Sequence, residues 1–411
     1  MEKKVKKLYV GIDVHSRQHK VAMMSVQGYS LPQVDWKQAR FLTIKNQAED
    51  FNRLYSEIQE LTSNPRDVAI AIDHTGGHYS MPILWFLQNK GYRTYHLEPK
   101  AVKAIRERLL DEECKTDTID AAGTAYLLYL RDYHGLSFRI SAISPELKSS
   151  AFLMKCLILQ RQMYAKMVTQ CTNRLRQLLV TVFPEGEANY FCQMLNILEH
   201  YPTPSDILAC QDINIGSKCK EWERINALAH LTIGAPIDIY RELIIDLSRR
   251  RREAREQCKA IELKLQKEVA EHPYGNILLS FPRIGTISAA TIISEIKDIK
   301  RWPDKKKLKK ALGVYSITKQ SGSSLGVGRL GNEGSRHSRR VLFQVVFGYL
   351  DSRSSDNDFR DYYLRQIQVS GKPKLKAIVS TMGKLVEIIY HCLTRGELYK
   401  YQGIYRGTIL E

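Results

Sequence analysis

The chain has 411 residues, enough for two or three domains that each bury a sizeable core. It carries 62 Lys and Arg against 44 Asp and Glu, and the resulting net charge of +18 favours a polyanionic partner, most simply nucleic acid. No apolar run reaches the roughly 18 residues of a membrane span, and the eight scattered cysteines include no Cys-x-x-Cys pair. We therefore expect a soluble cytoplasmic protein with reduced thiols and no membrane partner.

The first part of the chain predicts alternating strands and helices. The expected order is three strands, a helix, a strand, a helix, a strand and further helices to about residue 131. Their predicted limits are Leu8–Asp13, Lys20–Val26, Phe41–Lys45, Gln47–Thr62, Val68–Asp73, Tyr79–Lys90 and Tyr92–Leu97. Three strands followed by alternating helices and strands is the order of the ribonuclease H-like fold, which is an α/β architecture.

Four aspartates lie where such a fold brings chain segments together. Asp13 ends the first strand and Asp73 ends the fourth, each after an apolar run typical of a buried strand. Asp117 and Asp120 open a helical stretch and lie three residues apart, so their side chains share one helix face. A single strand-end Asp is often only a turn or cap residue. Four hard oxygen donors together suit Mg²⁺ or Mn²⁺ and predict a metal-dependent site for nucleic-acid chemistry.

Two long helical patterns follow. Ser144-Pro145-Glu146 is a strong helix start, and no Gly or Pro then interrupts the chain until Pro184. A second pattern runs over 237–271, and the two helices could pair within the chain or across a dimer. Residues 185–235 between them predict a small helical insert. Steps of four and three residues mark a coiled-coil seam in the first helix, at Tyr164, Val168, Cys171, Leu175, Leu178 and Val182.

Positive charge is concentrated behind the first domain. Residues 141–411 hold 42 basic and 27 acidic side chains, so +15 of the net +18 lies there. Basic runs are usually solvated helix faces, but beside this excess they favour nucleic-acid binding. The predicted contacts are Lys305, Lys306, Lys307, Lys309, Lys310, Arg336, Arg339 and Arg340. We divide the chain into an α/β domain at 1–143, a helical coiled-coil region at 144–270 and a mainly α domain at 271–411.

Ser321 follows an apolar stretch, in the polar sequence Lys319-Gln320-Ser321-Gly322-Ser323-Ser324. On composition alone this is a flexible surface loop. No neighbouring His and Asp pattern supports a hydrolase triad. The residues themselves therefore give Ser321 no chemical role.

Blocks along the chain resemble the insertion sequence 110 family of transposases, the DEDD transposases known as bridge-RNA-guided recombinases. Three blocks near the N-terminus are similar to the family's acidic motifs, namely Tyr9-Val10-Gly11-Ile12-Asp13-Val14-His15-Ser16, Asp73-His74-Thr75-Gly76-Gly77-His78-Tyr79 and Lys115-Thr116-Asp117-Thr118-Ile119-Asp120-Ala121. Later blocks resemble its hairpin, serine, basic and tail motifs, namely Phe281-Pro282-Arg283-Ile284-Gly285-Thr286, Gln320-Ser321-Gly322, Gly334-Ser335-Arg336 with Arg339-Arg340, and Gly371-Lys372-Pro373.

The resemblance implies a RuvC-like N-terminal domain and a C-terminal serine transposase domain. In it, Asp13, Asp73, Asp117 and Asp120 would hold Mg²⁺ or Mn²⁺, and Ser321 would attack a DNA phosphate. The implied partners are donor and target DNA, a structured non-coding bridge RNA that selects them, and further copies of the chain in a dimer or tetramer. Such a protein works in the prokaryotic cytoplasm and is nucleoid-associated when bound to DNA, and Lys372 is expected to contact nucleic acid.

The chain departs from the family pattern at three places. Asp73 stands where the family usually has glutamate, and Arg283 replaces the glycine expected in the hairpin. Leu330-Gly331-Asn332-Glu333 is less basic than the corresponding family block. None of these changes removes a required functional group.

Other functions fit the same residues. One is a metal-dependent nuclease of the Holliday-junction type that uses the four acids alone, with Ser321 merely structural. A site-specific DNA invertase would use the same chemistry on different DNA. The last is a non-catalytic nucleic-acid-binding relative of a transposase.

Overall fold

The computed structural model describes residues 6–27, 37, 39–73, 79–97, 99–108, 116–134, 140–142, 150–212, 219–317, 320–321, 324–325, 329–331, 333–351 and 357–401. The chain divides into two units, residues 1–147 and 148–411.

The first unit is an α/β domain. Its strands are β1 (Lys6–Val14), β2 (Gln18–Gln27), β3 (Arg40–Lys45), β4 (Val68–Asp73), β5 (Arg93–Leu97) and β6 (Ile140–Ala142). Its helices are α1 (Ala48–Leu61), α2 (Met81–Asn89), α3 (Pro99–Arg108) and α4 (Asp117–His134). The predicted strands and helices are therefore present in the predicted order, and the limits stated for five strands and two helices differ from the observed ends by at most two residues. The three-residue strand β6 is too short to leave a pattern in the sequence.

The six described strands form one mixed sheet in the order β3-β2-β1-β4-β5-β6. Strands β1, β4 and β5 run parallel, and the other neighbours pair antiparallel. Leu8, Val10 and Ile12 of β1 pack in the core that contains α1 and α2, whereas Tyr9 packs with α3 and α4. Helices therefore cover both faces of the sheet, which explains why its central strands are apolar throughout.

The second unit is mainly helical. Its helices are α5 (Ser150–Val182), α6 (Pro184–Met194), α7 (Pro204–Leu208), α8 (Trp222–His230), α9 (Asp238–Glu271), α10 (Gly275–Leu279), α11 (Thr286–Ile296), α12 (Lys305–Ala311), α13 (Arg336–Tyr349), α14 (Asp358–Gln368) and α15 (Lys374–Arg395). Four two-residue strands lie between α12 and α13, namely β7 (Ser316–Ile317), β8 (Gln320–Ser321), β9 (Ser324–Leu325) and β10 (Arg329–Leu330). The helix start predicted at Ser144 lies outside the described residues.

The two long helices, α5 and α9, pair antiparallel within the chain. Ser150 donates to Glu268 over 2.6 Å, and Arg251 donates to Thr172 over 3.0 Å, so the start of α5 faces the end of α9. Most of the predicted seam is buried, at Cys171, Leu175, Leu178 and Val182. This pairing answers the question that the sequence left open for these two helices.

Two separate cores hold the helical pair. Leu175, Leu178 and Ile244 join α6, α7 and α8 in one core, so the insert at 185–235 covers the far ends of α5 and α9. The opposite ends contribute Met154 and Leu265 to a second core with α11, α13 and α15. That second core is continuous across the predicted boundary between residues 270 and 271.

Arg283 keeps the hairpin turn between α10 and α11 although it replaces the expected glycine. Its φ is 59°, which is the left-handed conformation that costs a side chain about 1–2 kcal/mol. The aliphatic stem passes over Gly348, where a Cβ would lie 3.5 Å from Arg283 Cγ. The guanidinium lies 3.9 Å from Asp351, in an exposed ion pair that contributes only a few tenths of a kcal/mol.

We expect the Arg283→Gly variant to be more stable than Arg283→Ala by about 1 kcal/mol, because only glycine adopts a φ of 59° without strain. Both variants lose the stem and the ion pair, so their difference isolates the backbone. Free energies of unfolding from denaturant titration measure it. Equal stabilities would show that the turn is not strained at this position.

Candidate active site

The carboxyl ends of β1 and β4 meet the first turn of α4 in the first unit. Ile12 pairs with Ile72 in the parallel ladder, so Asp13 and Asp73 follow at the ends of neighbouring strands. Asp117 is the first residue of α4, and the Thr116 hydroxyl caps the helix by accepting from the Ile119 N–H over 3.3 Å. The sheet and the helix cap together bring three of the four predicted aspartates to one edge.

Gly11 allows α4 to lie directly on β1. A Cβ at this position would lie 2.1 Å from the Ala121 carbonyl oxygen and 2.4 Å from the Ala125 nitrogen. No side chain fits there, and the backbone of the helix cannot withdraw without losing the buried packing of Ala121 and Ala125. The missing side chain therefore fixes the height of α4 above the strand and, with it, the position of Asp117.

We expect Gly11→Ala to destabilise the first unit by about 3 kcal/mol, at the upper end of what overpacking costs. The same change should weaken metal binding, because α4 has to move and takes Asp117 with it. Denaturant titration and calorimetric titration with Mn²⁺ measure the two effects. Gly285→Ala is the control, since no atom lies within 4 Å of a Cβ there. A Gly11→Ala protein as stable as the control would contradict this packing.

Three ligand atoms converge at this edge. His15 Nε2 lies 3.0 Å from Asp13 Oδ2 and 3.3 Å from Asp117 Oδ1. The Asp13 carboxylate is buried, whereas His15 is exposed. Burial alone would lower the pKa of His15, but hydrogen bonds and charge from Asp13 and Asp117 outweigh it and raise that pKa. The two carboxylates thus hold the imidazole at this edge of the sheet.

His19 and Asn46 hold the turn that carries His15. The His15 N–H donates to His19 Nδ1 over 3.3 Å, and His19 Nε2 lies 2.8 Å from Asn46 Oδ1. Burial lowers the pKa of His19 against the weaker opposing effect of the Asn46 bond. A ring with its proton on Nε2 satisfies both contacts, so His19 links the backbone of His15 to Asn46.

The other two predicted acids, Asp73 and Asp120, are not part of the group of converging ligand atoms that the described residues form, for different reasons. Asp73 ends β4 beside Asp13, but its side chain is outside the described residues. Asp120 is buried one turn into α4, and its backbone N–H donates to the Thr116 carbonyl over 3.0 Å. Among the described residues, the group of three converging ligand atoms is Asp13, His15 and Asp117, without Asp120. The metal role of all four aspartates remains a prediction, and the convergence of ligand atoms supports it for Asp13 and Asp117.

His15 is the site residue that sequence reasoning missed. It lies two positions after Asp13, so the two side chains point to the same side of an extended chain. That spacing was the available signal, because a histidine on the same side as a strand-end aspartate can share its ligand. Its second contact, with Asp117, could not be seen in the spacing.

The donor set fits a divalent cation. Two carboxylate oxygens suit Mg²⁺ and Mn²⁺, and an imidazole nitrogen favours a transition metal such as Mn²⁺ over Mg²⁺. The ligand atoms of Asp13, His15 and Asp117 all lie within 4.8 Å of one another, close enough for one ion to reach them. A cleft of about 540 Å³ opens beside them, and the cations Arg17 and Lys45 line it.

Ser321 lies in a short hairpin of the second unit. Gln320–Ser321 (β8) pairs antiparallel with Ser324–Leu325 (β9), and Ser321 is opposite Ser324. These four residues are the part of the predicted loop that the structure describes. The Ser321 side chain is outside the described residues, so its role as a nucleophile remains a prediction.

The side chains predicted to contact nucleic acid fall into two groups: some bind other groups of the protein, and the others are exposed. Lys309 donates to Glu387 over 2.5 Å, with Lys305 3.4 Å from the same carboxylate, and Lys310 lies 2.7 Å from Glu333. Burial alone would raise the pKa of Glu387, but the two lysines lower it. Engaged side chains also include Lys372, bound to Gln366 and Ser380, and Arg339, bound to three backbone carbonyls. Exposed cations for which the described residues show no ion pair are Lys306, Lys307, Arg336 and Arg340.

Within the described part of the chain, no helix is both long enough and apolar enough to cross a membrane.

Comparisons with known proteins agree along the chain. The transposase family model DEDD_Tnp_IS110 matches residues 10–184, and the model of the transposase IS116/IS110/IS902 family matches residues 275–364. A protein of Streptomyces coelicolor named "Insertion element IS110 uncharacterized 43.6 kDa protein" is 22% identical over 365 residues, which are 85% of this chain and 87% of that protein.

Two solved structures also show similarity. Thermus thermophilus RuvC matches at 16% identity with a TM-score of 0.24, and the same protein in complex with Holliday junction substrate matches at 14% with a TM-score of 0.22. Each match covers 33% of this chain and 99% of the other. Scores this low carry no argument. The two family models match both units in the expected order, and they show the family. The chain belongs to the IS110 family of transposases and is an enzyme that acts on DNA.

Proposed function

We propose that this transposase cuts and rejoins DNA at a divalent-metal site around Asp13 and Asp117, through a covalent bond between Ser321 and the DNA. A structured RNA would choose the sites. The observation that carries the proposal is the convergence of Asp13 Oδ2, His15 Nε2 and Asp117 Oδ1 at the carboxyl edge of the sheet.

The acidic edge is suited to phosphodiester chemistry. When bound, Mg²⁺ or Mn²⁺ supplies Lewis acidity for an attacking and a leaving oxygen at one phosphate. Asp13 and Asp117 would hold it, with Asp73 and Asp120 completing the ligand set that the family resemblance implies. Arg17 and Lys45 line the adjoining cleft and can attract the phosphates on either side. The two cations would thus orient the DNA backbone beside the metal-binding carboxylates.

A serine nucleophile makes the reaction reversible. The Ser321 hydroxyl gives up its proton, its oxygen forms a bond to phosphorus, and the bond from phosphorus to a deoxyribose oxygen breaks, with that oxygen taking up a proton. The phosphoserine diester keeps the energy of the broken bond. A DNA hydroxyl can then attack the diester and release the serine, which suits recombination better than hydrolysis does.

A polar groove in the second unit offers a surface for the nucleic-acid backbone. A cavity of about 530 Å³ lies between α5, α11 and α13, and the exposed cations Lys166 and Arg340 line it. Gln162, Thr169 and Gln344 add amide and hydroxyl groups, and the described residues that line the cavity include no carboxylate. Such a mixture matches phosphate and sugar oxygens without reading base sequence.

We expect the binding constant for duplex DNA to fall steeply with salt concentration. Lys306→Ala should reduce the slope of log K against log salt by about 1, since an exposed lysine that contacts one phosphate releases about one counterion. Lys309→Ala is the matched control: it should keep the slope and lower stability instead, because Glu387 loses its partner. Fluorescence titration at several salt concentrations measures both. Equal slopes for the parent and both variants would show that α12 does not contact DNA.

Delegation of sequence choice to RNA fits a surface that recognises only the backbone. The guide is the structured non-coding RNA that the family resemblance implies, and the protein would act as a homodimer or homotetramer in the cytoplasm, on the nucleoid. RNA extracted from the purified complex should map to the sequence flanking the gene. Recombination that is unchanged by ribonuclease treatment would exclude a guide.

The test of the whole proposal is trapping of the intermediate. The protein, its RNA and labelled DNA carrying the element ends are incubated with Mg²⁺ or Mn²⁺, then denatured and separated on a gel. A label that stays with the protein after denaturation and moves with the Ser321 peptide supports the proposal. Cleavage with all label on free DNA would favour the second candidate, a nuclease of the junction type, which is plausible because the converging ligand atoms lie within one unit.

A further inference from the structure

The guanidinium of Arg339 donates hydrogen bonds to backbone carbonyls of the protein. From α13, its Nε donates to the Gly313 carbonyl over 2.8 Å. Its Nη2 donates to the carbonyls of Gly331 over 3.0 Å and Glu333 over 2.9 Å. Three of the five N–H donors of a guanidinium are therefore used on main-chain oxygens. The side chain is half-buried, whereas its neighbour Arg340 is exposed.

The three carbonyls lie at both ends of the segment that carries Ser321. The chain leaves α12 at Gly313 and returns towards α13 through Gly331 and Glu333, and Ser321 lies between. The two ends also pair in β7 and β10, and the Gly331 N–H donates to the Tyr315 carbonyl over 2.9 Å. Arg339 therefore ties together the base of this segment from a helix that is itself anchored in the core.

The geometry depends on the guanidinium fork. One planar group has to reach two carbonyls through one nitrogen and a third through another, which the single ammonium of lysine cannot reproduce. Gly313 takes a φ of 74°, and a Cβ there would lie 3.0 Å from the Arg339 Nε and Nη2 atoms. The glycine thus leaves the space that the guanidinium fills, so the contact requires both Gly313 and Arg339.

We propose that Arg339 is a positioning residue for the serine hairpin: it closes the base of the segment and so fixes where Ser321 meets the DNA. The proposal rests on the proposed serine chemistry. It separates two neighbouring arginines of the basic block, with Arg339 serving the protein backbone and Arg340 the phosphates.

The test compares the same substitution at two arginines of the second unit. Arg339→Lys keeps the charge but loses the fork, and Arg395→Lys is the matched control at an exposed arginine that ends α15. We expect Arg339→Lys to slow formation of the covalent adduct on the order of 100-fold, the usual effect of a misplaced reacting group. Its binding constant for DNA and the salt slope should equal those of the parent. Arg395→Lys should form the adduct at close to the parental rate.

Hydrogen exchange supplies a second measurement that does not depend on activity. In Arg339→Lys the amides of Gly331 and Ser335, which donate to the Tyr315 and Ala311 carbonyls, should exchange faster, while amides within α13 keep their protection. Faster exchange throughout the second unit would overturn the proposal, because Arg339 would then serve the fold as a whole. Weaker DNA binding in parallel with the lost activity would also overturn it.

Ser321→Ala distinguishes this inference from the proposed function. If Ser321→Ala still forms the adduct, the proposed function fails whatever Arg339→Lys does. If Ser321→Ala is inactive and Arg339→Lys reacts like the parent, only the positioning role fails.

Discussion

Asp13→Asn is expected to lower metal-dependent DNA cleavage on the order of 1000-fold, because the loss of several kcal/mol of metal-derived stabilisation corresponds to about that factor. Asp13 is the buried member of the cluster, and its Oδ2 atom faces His15 Nε2 at 3.0 Å. An amide of the same shape removes the charge that attracts the cation while it keeps the packing. Calorimetric titration with Mn²⁺ should show weaker binding, and cleavage of labelled DNA should fall in step with it.

Asp67→Asn is the control for charge and fold. Asp67 precedes β4, at the opposite end of that strand from Asp73, and its carboxylate accepts from Asn64 Nδ2 over 2.9 Å. The control should bind Mn²⁺ and cleave DNA as the parent does. Strand exchange that survives Asp13→Asn would rule out the metal site at this edge. Loss of DNA cleavage and exchange with Asp13→Asn alone would exclude the non-catalytic relative.

Ser321→Ala is expected to abolish the covalent adduct and the rejoining of DNA, because no other atom of the side chain can form the diester. Metal binding should not change. DNA binding should also stay at the parental level, since the substitution removes one uncharged hydroxyl. A denaturing gel with labelled DNA, together with a recombination assay on two plasmids, measures the two outcomes.

Ser324→Ala is the matched control, because Ser324 pairs with Ser321 across the hairpin of β8 and β9. It should form the adduct and rejoin DNA as the parent does. A Ser321→Ala protein that cuts and rejoins DNA would exclude the serine mechanism. The metal site would then act without a serine nucleophile. Loss of activity in both serine variants alike would mean that the hairpin, rather than one hydroxyl, is required.

Whether Asp73 reaches the metal can be argued from the sheet. In the parallel register Ile12 and Ile72 are partners, so the two strands end at the same level. Whether the shorter Asp73 side chain reaches the metal then depends on how closely β1 and β4 approach the first turn of α4. Gly11 lets α4 lie directly on β1, whereas the reach of the Asp73 side chain to the metal remains a prediction.

The sequence alone determined most of the α/β domain, although it did not predict the three-residue strand β6. Apolar strands and amphipathic helices are local patterns, and local patterns gave the limits of five strands and two helices to within two residues. Because parallel strands end on one edge, strand-end Asp13 could be assigned to a site together with Asp117, which opens a helix. The family blocks contain the same aspartates and led to the same assignment.

Tertiary structure alone decided the details that depend on distant residues. His15 became part of the cluster because α4 brings Asp117 to within 3.3 Å of its imidazole. Arg339 and Arg340 are adjacent in sequence and equal in charge, yet one binds three carbonyls and the other faces solvent. Composition records which charges a chain carries, whereas the contact that each charge makes depends on which backbone the fold brings near it.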